Sequence, residues 1–302
     1  MRYRIQHSTH YDYEIPVGLG YNRAHLLPRD TQNQRCINSQ INISPLPMFA
    51  QKRQDYFGNK TYHFSMEHPH QFLTVDVVSE VDVMESPMFT NYDLDIGITC
   101  DQALSLMQQG QEEQLLLARE FILDSPLVKA SAVMADYARP LFQPGRTFLS
   151  AVRALTEKIH TEFVYDPEST TVATPLDEVM AQKHGVCQDF SHVAIGCLRS
   201  LGYPARYVSG YVETLPPPGQ EKLVGSDASH AWFAVYSPSE GWFEFDPTNN
   251  NMPAEQHITT AWGRDYSDVP PLRGVIFDGG GHQKIKVSVD VQRLPEPNVT
   301  AF

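Results

Sequence analysis

The run Gly185-Val186-Cys187-Gln188-Asp189-Phe190-Ser191-His192 sets a cysteine at the junction of a glycine turn and an apolar-periodic helix. Beyond Cys187, residues Phe190, Val193, Ala194, Cys197, Leu198 and Leu201 fall at the three-four spacing of one helix face. Gly202 is a natural stop just past it. Cys187 is therefore expected at or near a helix N-terminus, where unpaired backbone N–H groups and the positive end of the helix dipole converge. Such a setting lowers a thiol's pKa and favours the nucleophilic thiolate. The competing reading makes Cys187 one more small core residue, so the case depends on partners elsewhere in the chain.

A thiol nucleophile needs a base, and the base needs an orienting partner. His230 opens an apolar run, His230 to Tyr236, that reads as a strand, and Asp246 closes the next, Trp242 to Phe245. If the loop at 237–241 pairs Tyr236 with Trp242, then Trp232 faces Asp246 and His230 faces Thr248. His230 and Asp246 become diagonal neighbours on one sheet face, roughly 7–8 Å apart at the backbone. A one-residue slip would put them on opposite faces. The chemistry expected of the three is acyl transfer: Cys187 attacks an amide carbonyl, His230 pairs with the thiolate and protonates the leaving amine, and Asp246 steadies His230. The Cys187 backbone N–H is expected in the oxyanion hole. Gln188 and Gln182 are further side-chain candidates.

Other residues compete for these roles. His192 lies one turn beyond Cys187 and reads better as a satisfied helix histidine. Asp189 reads as a first-turn carboxylate favoured by the dipole. Glu244 and Asp227 compete with Asp246, and Trp232 reads as a wall of the site or core. The groups His7/His10 and His63/His68/His70 have neither zinc spacing nor accompanying carboxylates, so no metal is expected. The four cysteines, Cys36, Cys100, Cys187 and Cys197, show no paired metal spacing. Cys187 and Cys197, about 15 Å apart if one helix carries both, cannot bridge. Reduced thiols are expected, with Cys36, Cys100 and Cys197 as small buried hydrophobes.

Around this centre the chain divides in two. Up to about residue 100 it is rich in short alternating strands: Tyr3 to Tyr13, Gln40 to Ser44, a hairpin turning at Phe57-Gly58-Asn59-Lys60, then Phe72 to Val78 and Val81 to Val83. Helices follow, expected from Ser125-Pro126 to Ala138, from Thr147 through Phe163, and from Thr174-Pro175 to near Gly185. After Gly202 strands return, with a surface loop at Pro216 to Gly219, a turn at Gly279-Gly280-Gly281 and a last strand from Ile285 to Val291. The expected fold is α+β: an all-β, sandwich-like domain over 1–110, then helices packed on an antiparallel sheet over 111–302.

The 302 residues carry a formal net charge of −13, with 41 % hydrophobic and 20 % charged residues. That suits an ordinary acidic globular enzyme and argues against nucleic acid as a partner, which needs clustered Lys and Arg. The N-terminal residues lack the apolar core of a signal peptide, and no stretch approaches the length of a membrane span. A cytoplasmic location without membrane association is the expectation. Oligomeric state is not legible.

Three motifs carry a family resemblance: Gly185 to Phe190, Asp227-Ala228-Ser229-His230-Ala231-Trp232, and Gly241 to Asn249. Together they resemble the bacterial transglutaminase-like cysteine-protease family, as does Gly263 to Pro271 beyond them. The N-terminal β-region resembles that family's accessory β-domain. The resemblance implies a papain-like core with Cys187, His230 and Asp246 as a Cys-His-Asp triad; no cofactor is expected. It leaves three functions open: a cysteine peptidase or amidase acting on peptide or isopeptide substrates, a transglutaminase passing a glutaminyl acyl group to an amine, or an inactive interaction module. Gln188 stands where animal transglutaminases carry Trp, a departure that weakens any transfer of their oxyanion hole or of calcium-dependent cross-linking.

Overall fold

Alternation of inward apolar and outward polar residues builds the N-terminal half. The computed structural model describes residues 1–84, 92–214, 229–238 and 240–295. Strand β1 (Arg2–Ala24) buries Tyr3, Ile5, His7 and Thr9 at every second position. It continues into β2 (Gln34–Ser44), β3 (Phe49–Gln54), β4 (Lys60–Met66) and β5 (His70–Val83). β5 flanks β1 along residues 2–12 and β4 flanks it along 20–24, with register shifts between these stretches. The sheet order is β2-β5-β1-β4-β3. Its two arms share one core of Ala24, Leu26, Leu27, Phe64, Met66, Leu73, Val75 and Val77. The region is all-β, as expected, and the predicted hairpin joins β3 to β4 with Gly58 at φ 75°.

The C-terminal segment differs from expectation. Gly279-Gly280-Gly281 does not reverse the chain. It lies within a 23-residue strand, β12 (Leu272–Leu294), that runs along β1 from Arg2↔Leu294 to Ala24↔Leu272. The glycines absorb an irregularity opposite Ile15 to Leu19. Gly279 has φ 83°, and a Cβ there would lie 1.9 Å from the Pro16 carbonyl oxygen, so only glycine lets the strands approach so closely. β12 falls within the expected 111–302 portion but completes the N-terminal sheet.

The helices are α1 (Cys100–Gln109), α2 (Glu113–Arg119), α3 (Ala132–Ala138), α4 (Phe148–Glu162), α5 (Leu176–Gln182) and α6 (Cys187–Ser200). The helix expected from Ser125-Pro126 begins only at Ala132, where the Ser131 hydroxyl accepts from Met134 N at 3.2 Å. Tertiary bonds hold 125–130 as a loop: Leu127 N donates to Asp265 Oδ2 at 2.7 Å and Arg199 donates to Ser125 Oγ at 3.0 Å. Two short strands, β6 (Val164–Tyr165) and β7 (His184–Gly185), pair in parallel just before α6.

The second sheet is antiparallel, order β10-β9-β8-β11, from β8 (Ala205–Val212), β9 (Ser229–Ser237), β10 (Gly241–Phe245) and β11 (His257–Gly263). Helix α6 packs on one face, burying Val193, Ala194, Cys197 and Leu198 with Tyr207, Phe233 and Phe245. Each fully buried large apolar side chain contributes about 1.5–3 kcal/mol relative to exposure, which anchors the helix start against the sheet. The expected loop at Pro216 to Gly219 lies outside the described residues. Among the described residues no helix is long and apolar enough to cross a membrane.

Candidate active site

Cys187 is the first residue of α6, as its spacing predicts. The chain enters the helix tightly. A Cβ on Gly185 would lie 2.7 Å from Asp189 Oδ2, so glycine lets the carboxylate fold back over the turn. Asp189 Oδ2 accepts from Val186 N at 2.9 Å and from the Thr170 hydroxyl at 2.7 Å. Burial nonetheless pushes the Asp189 carboxyl above its usual value. Asp189 thus ties down the helix entry and is occupied in doing so. Cys187 itself is partly buried against the main core.

His230 reaches Cys187 from β9. The β9–β10 ladder pairs Tyr236 with Trp242, the expected register, and runs from Ser237↔Gly241 to Phe233↔Phe245. It stops there, and the expected Trp232–Asp246 and His230–Thr248 pairs do not form. Pro247 has no N–H to continue a ladder. Asp246 instead bridges Asn251, and its Oδ1 accepts from Thr248 N at 2.9 Å and Asn249 N at 3.1 Å. This turn aims Oδ2 at His230 Nε2, 2.7 Å away. Asn249 Nδ2 lies 3.4 Å from the same Nε2, and Cys187 acts on His230 electrostatically, favouring the charged ring.

The electrostatics of the trio follow from burial against pairing. Burial disfavours the His230 cation, but Asp246 and Cys187 outweigh it and raise its pKa to about 10. Burial likewise disfavours the Asp246 anion, yet hydrogen bonds from His230 and His257 hold its carboxyl well below the usual carboxylate range. The pairing thus favours the charged form of each partner.

His257 is a member that sequence reasoning missed. It opens β11, and its Nε2 donates to the same Asp246 Oδ2 at 3.0 Å. Its Nδ1 is buried without a partner among the described residues. The one available signal was a histidine opening an alternating stretch eleven residues after Asp246. Asn249 Nδ2 completes the set, donating to Asp246 Oδ2 at 2.7 Å. His230, Asp246 and His257 present donor atoms within 4.8 Å of one another, a two-histidine, one-carboxylate set that a transition metal accepts. In this arrangement each Nε2 already donates to Asp246.

The other candidates fall into place around this centre. Trp232 stacks on His230, ring centroids 6.0 Å apart at 27°, and donates from Nε1 to Glu244 Oε2 at 2.7 Å. Glu244 is engaged there rather than on His230. His192 is buried, its Nε2 accepts from Tyr266 N at 3.1 Å, and burial lowers its pKa to about 4. Gln182 is exposed, with its amide donating to Glu178 at 3.0 Å, and Gln188 is half-buried at the start of α6. Asp227 lies outside the described residues. Cys100 and Cys197 are buried as expected and Cys36 half-buried. Tyr207, also unanticipated, is buried within electrostatic reach of Cys187. Burial, reinforced by Cys187, holds its phenol pKa far above the usual value, so Tyr207 keeps its O–H.

Comparison with known proteins adds to this geometry. Residues 3–82 match the family model described as the bacterial transglutaminase-like N-terminal region, and residues 135–247 match that of the transglutaminase-like superfamily. The chain is 39 % identical over 297 residues to an uncharacterized protein of Mycobacterium tuberculosis, covering 96 % of this chain and 92 % of that one. It is 30 % identical over 151 residues to a protein-glutamine gamma-glutamyltransferase of Pseudomonas aeruginosa, 45 % of this chain and 23 % of that protein. The fold is similar to the crystal structure of a candidate cysteine protease from Cytophaga hutchinsonii, with TM-score 0.77 at 19 % identity, covering 98 % of this chain and 92 % of that one.

Proposed function

This chain belongs to the transglutaminase-like superfamily, and on that premise we propose that it is a cysteine peptidase or amidase that opens amide or isopeptide bonds through a thioester on Cys187. The observation that carries the reading is His230, bonded through Nε2 to Asp246 at 2.7 Å and favoured in its charged form by both Asp246 and Cys187.

The steps follow from that coupling. The thiol proton resides on His230 Nδ1, giving a thiolate–imidazolium pair. The thiolate attacks the substrate carbonyl, and negative charge moves onto its oxygen. The Cys187 backbone N–H at the start of α6 and the Tyr207 hydroxyl are the donors suited to it. Collapse breaks the C–N bond. His230 gives the Nδ1 proton to the leaving amine, and a thioester remains. Water then attacks, His230 takes its proton, the C–S bond breaks, and carboxylic acid and thiolate–imidazolium are restored. Throughout, Asp246 keeps the Nε2 proton in place, and His257 and Asn249 keep Asp246 in place.

The test profiles hydrolysis over a fluorogenic peptide and isopeptide library, with Cys187→Ala as control. Cleavage lost in Cys187→Ala supports the reading. A Cys187 that alkylates no faster than free cysteine, in a protein whose function survives Cys187→Ala, sinks it in favour of an inactive interaction module.

The similarity to a gamma-glutamyltransferase favours a second reading, in which an amine replaces water in the last step. A glutamine-containing peptide incubated with a labelled amine separates the two. Incorporation supports transamidation, and hydrolysis without incorporation removes it.

A further inference from the structure

A second site lies on the face of the β8–β11 sheet turned away from α6. There the guanidinium of Arg206 is sandwiched between two indoles, 4.1 Å from the ring centre of Trp242 and 3.8 Å from that of Trp262. Arg206 is 8 % exposed and makes no hydrogen bond or ion pair among the described residues, and its Nε is buried without a partner. It lines a cleft of about 400 Å³ between this sheet, helix α2 and the loop after β1. Arg29 sits against the same Trp262 ring, 3.1 Å from its centre, adding a second cation nearby. A buried cation normally has its N–H groups satisfied, because an unpaired one costs several kcal/mol. The indoles supply cation–π attraction but accept no in-plane hydrogen bond. Glu244 supports the Arg206 charge electrostatically without accepting a hydrogen bond from it, and a guanidinium that lines a cleft and has no acceptor among the described residues indicates an anion that arrives from outside.

The walls narrow its chemistry. Glu240 and Glu244 also line the cleft, so a multiply charged phosphate meets repulsion. A monoanion with two coplanar oxygens matches the guanidinium fork. Leu117, Phe121 and Trp242 give the remainder an apolar surface. We propose that this cleft binds a small monocarboxylate carrying an apolar substituent, held by Arg206 between Trp242 and Trp262. The cleft also adjoins the first site: Glu244 lines it and accepts from Trp232, which stacks on His230.

The chain's three tryptophans are Trp232, Trp242 and Trp262, so intrinsic fluorescence reports directly on occupancy. The experiment titrates phenylacetate and its uncharged isostere phenylacetamide into the Cys187→Ala full chain, where no turnover contributes. Failure here therefore leaves the Cys187 chemistry untouched. Phenylacetate is expected to give a saturable change and to bind about tenfold tighter than the amide, or more. Arg206→Gln is expected to abolish that preference. Equal affinities, no saturable response, or a preference that survives Arg206→Gln overturns the proposal. If Arg206→Gln does not fold, exposed Gln114 at the rim serves instead. Gln114→Glu should weaken phenylacetate binding about two- to threefold and Gln114→Lys strengthen it; no change in either overturns it. The dipeptide Ala-Phe, as free acid and as C-terminal amide, identifies the source. With phenylacetate bound, a further response to the dipeptide free acid but not its amide points to a peptide end, and no response to the dipeptide free acid points to a free small acid.

Discussion

His257 Nε2 stands 3.0 Å from Asp246 Oδ2, the carboxylate oxygen that also receives His230. The Asp246 carboxylate is therefore held from two strands, β9 and β11. Removing His257 leaves Asp246 ionised but less constrained. His257→Phe is expected to slow Cys187 alkylation by iodoacetamide about tenfold, in line with the loss of one hydrogen bond to a charged group. Far-ultraviolet circular dichroism should be unchanged. An unaltered rate would mean that His230 and Asn249 suffice to hold Asp246.

The two histidines nearest Cys187 in role and in sequence should separate cleanly. His230→Ala is expected to abolish the enhanced reactivity of Cys187. His192→Ala should keep most of it, because His192 Nε2 is engaged by Tyr266 N. Its loss should instead lower stability by about 1–3 kcal/mol, since the partly buried Tyr266 N–H is left unpaired and a cavity opens in the core. Alkylation rates and urea unfolding of both variants check the pair.

The alkaline side of the pH profile belongs to His230. Its folded pKa is raised to about 10 from 6.5. The stability gained from the charged form is thus fully present below about pH 6.5 and is lost as pH rises through about 10. Unfolding free energies of the native chain and of His230→Gln should differ most near pH 6 and converge above pH 10. Hydrolytic activity should fall on the same alkaline limb, as the proton destined for the leaving amine disappears.

The β1–β12 junction should be intolerant of side chains. Gly279→Ala puts a methyl where only 1.9 Å separates the Cβ position from Pro16 O, at φ 83°. A loss of about 2 kcal/mol or more is expected in denaturant unfolding, with Cys187 reactivity retained because the strain lies in the N-terminal sheet. A neutral substitution would show that the two strands can move apart at no cost.

Much of the molecule was legible because it is local. Apolar spacing after Cys187 and the glycines around it specify the helix and its start. Alternation in Tyr3 to Tyr13 specifies a half-buried strand, and the short turn after Tyr236 specifies the β9–β10 register. The errors arise where distant groups compete with local signals. Ser125-Pro126 is a plausible helix start in isolation, but Asp265 and Arg199 bind that segment as a loop. Gly279-Gly280-Gly281 has turn composition, yet β1 offers an open edge that the chain continues to follow.

The site divides along the same line. The sequence alone determined a cysteine at a helix start, a histidine on one strand, an aspartate just past the end of the next, and the family to which they belong. Those are properties of short spacings and of motifs. Only the tertiary structure decided that Asp246 leaves the ladder at Pro247 to meet His230, that His257 on β11 shares it, and that Arg206 lies unpaired between two indoles. Each of these joins strands whose pairing order is set by the burial of whole faces, and no short window of residues encodes that order.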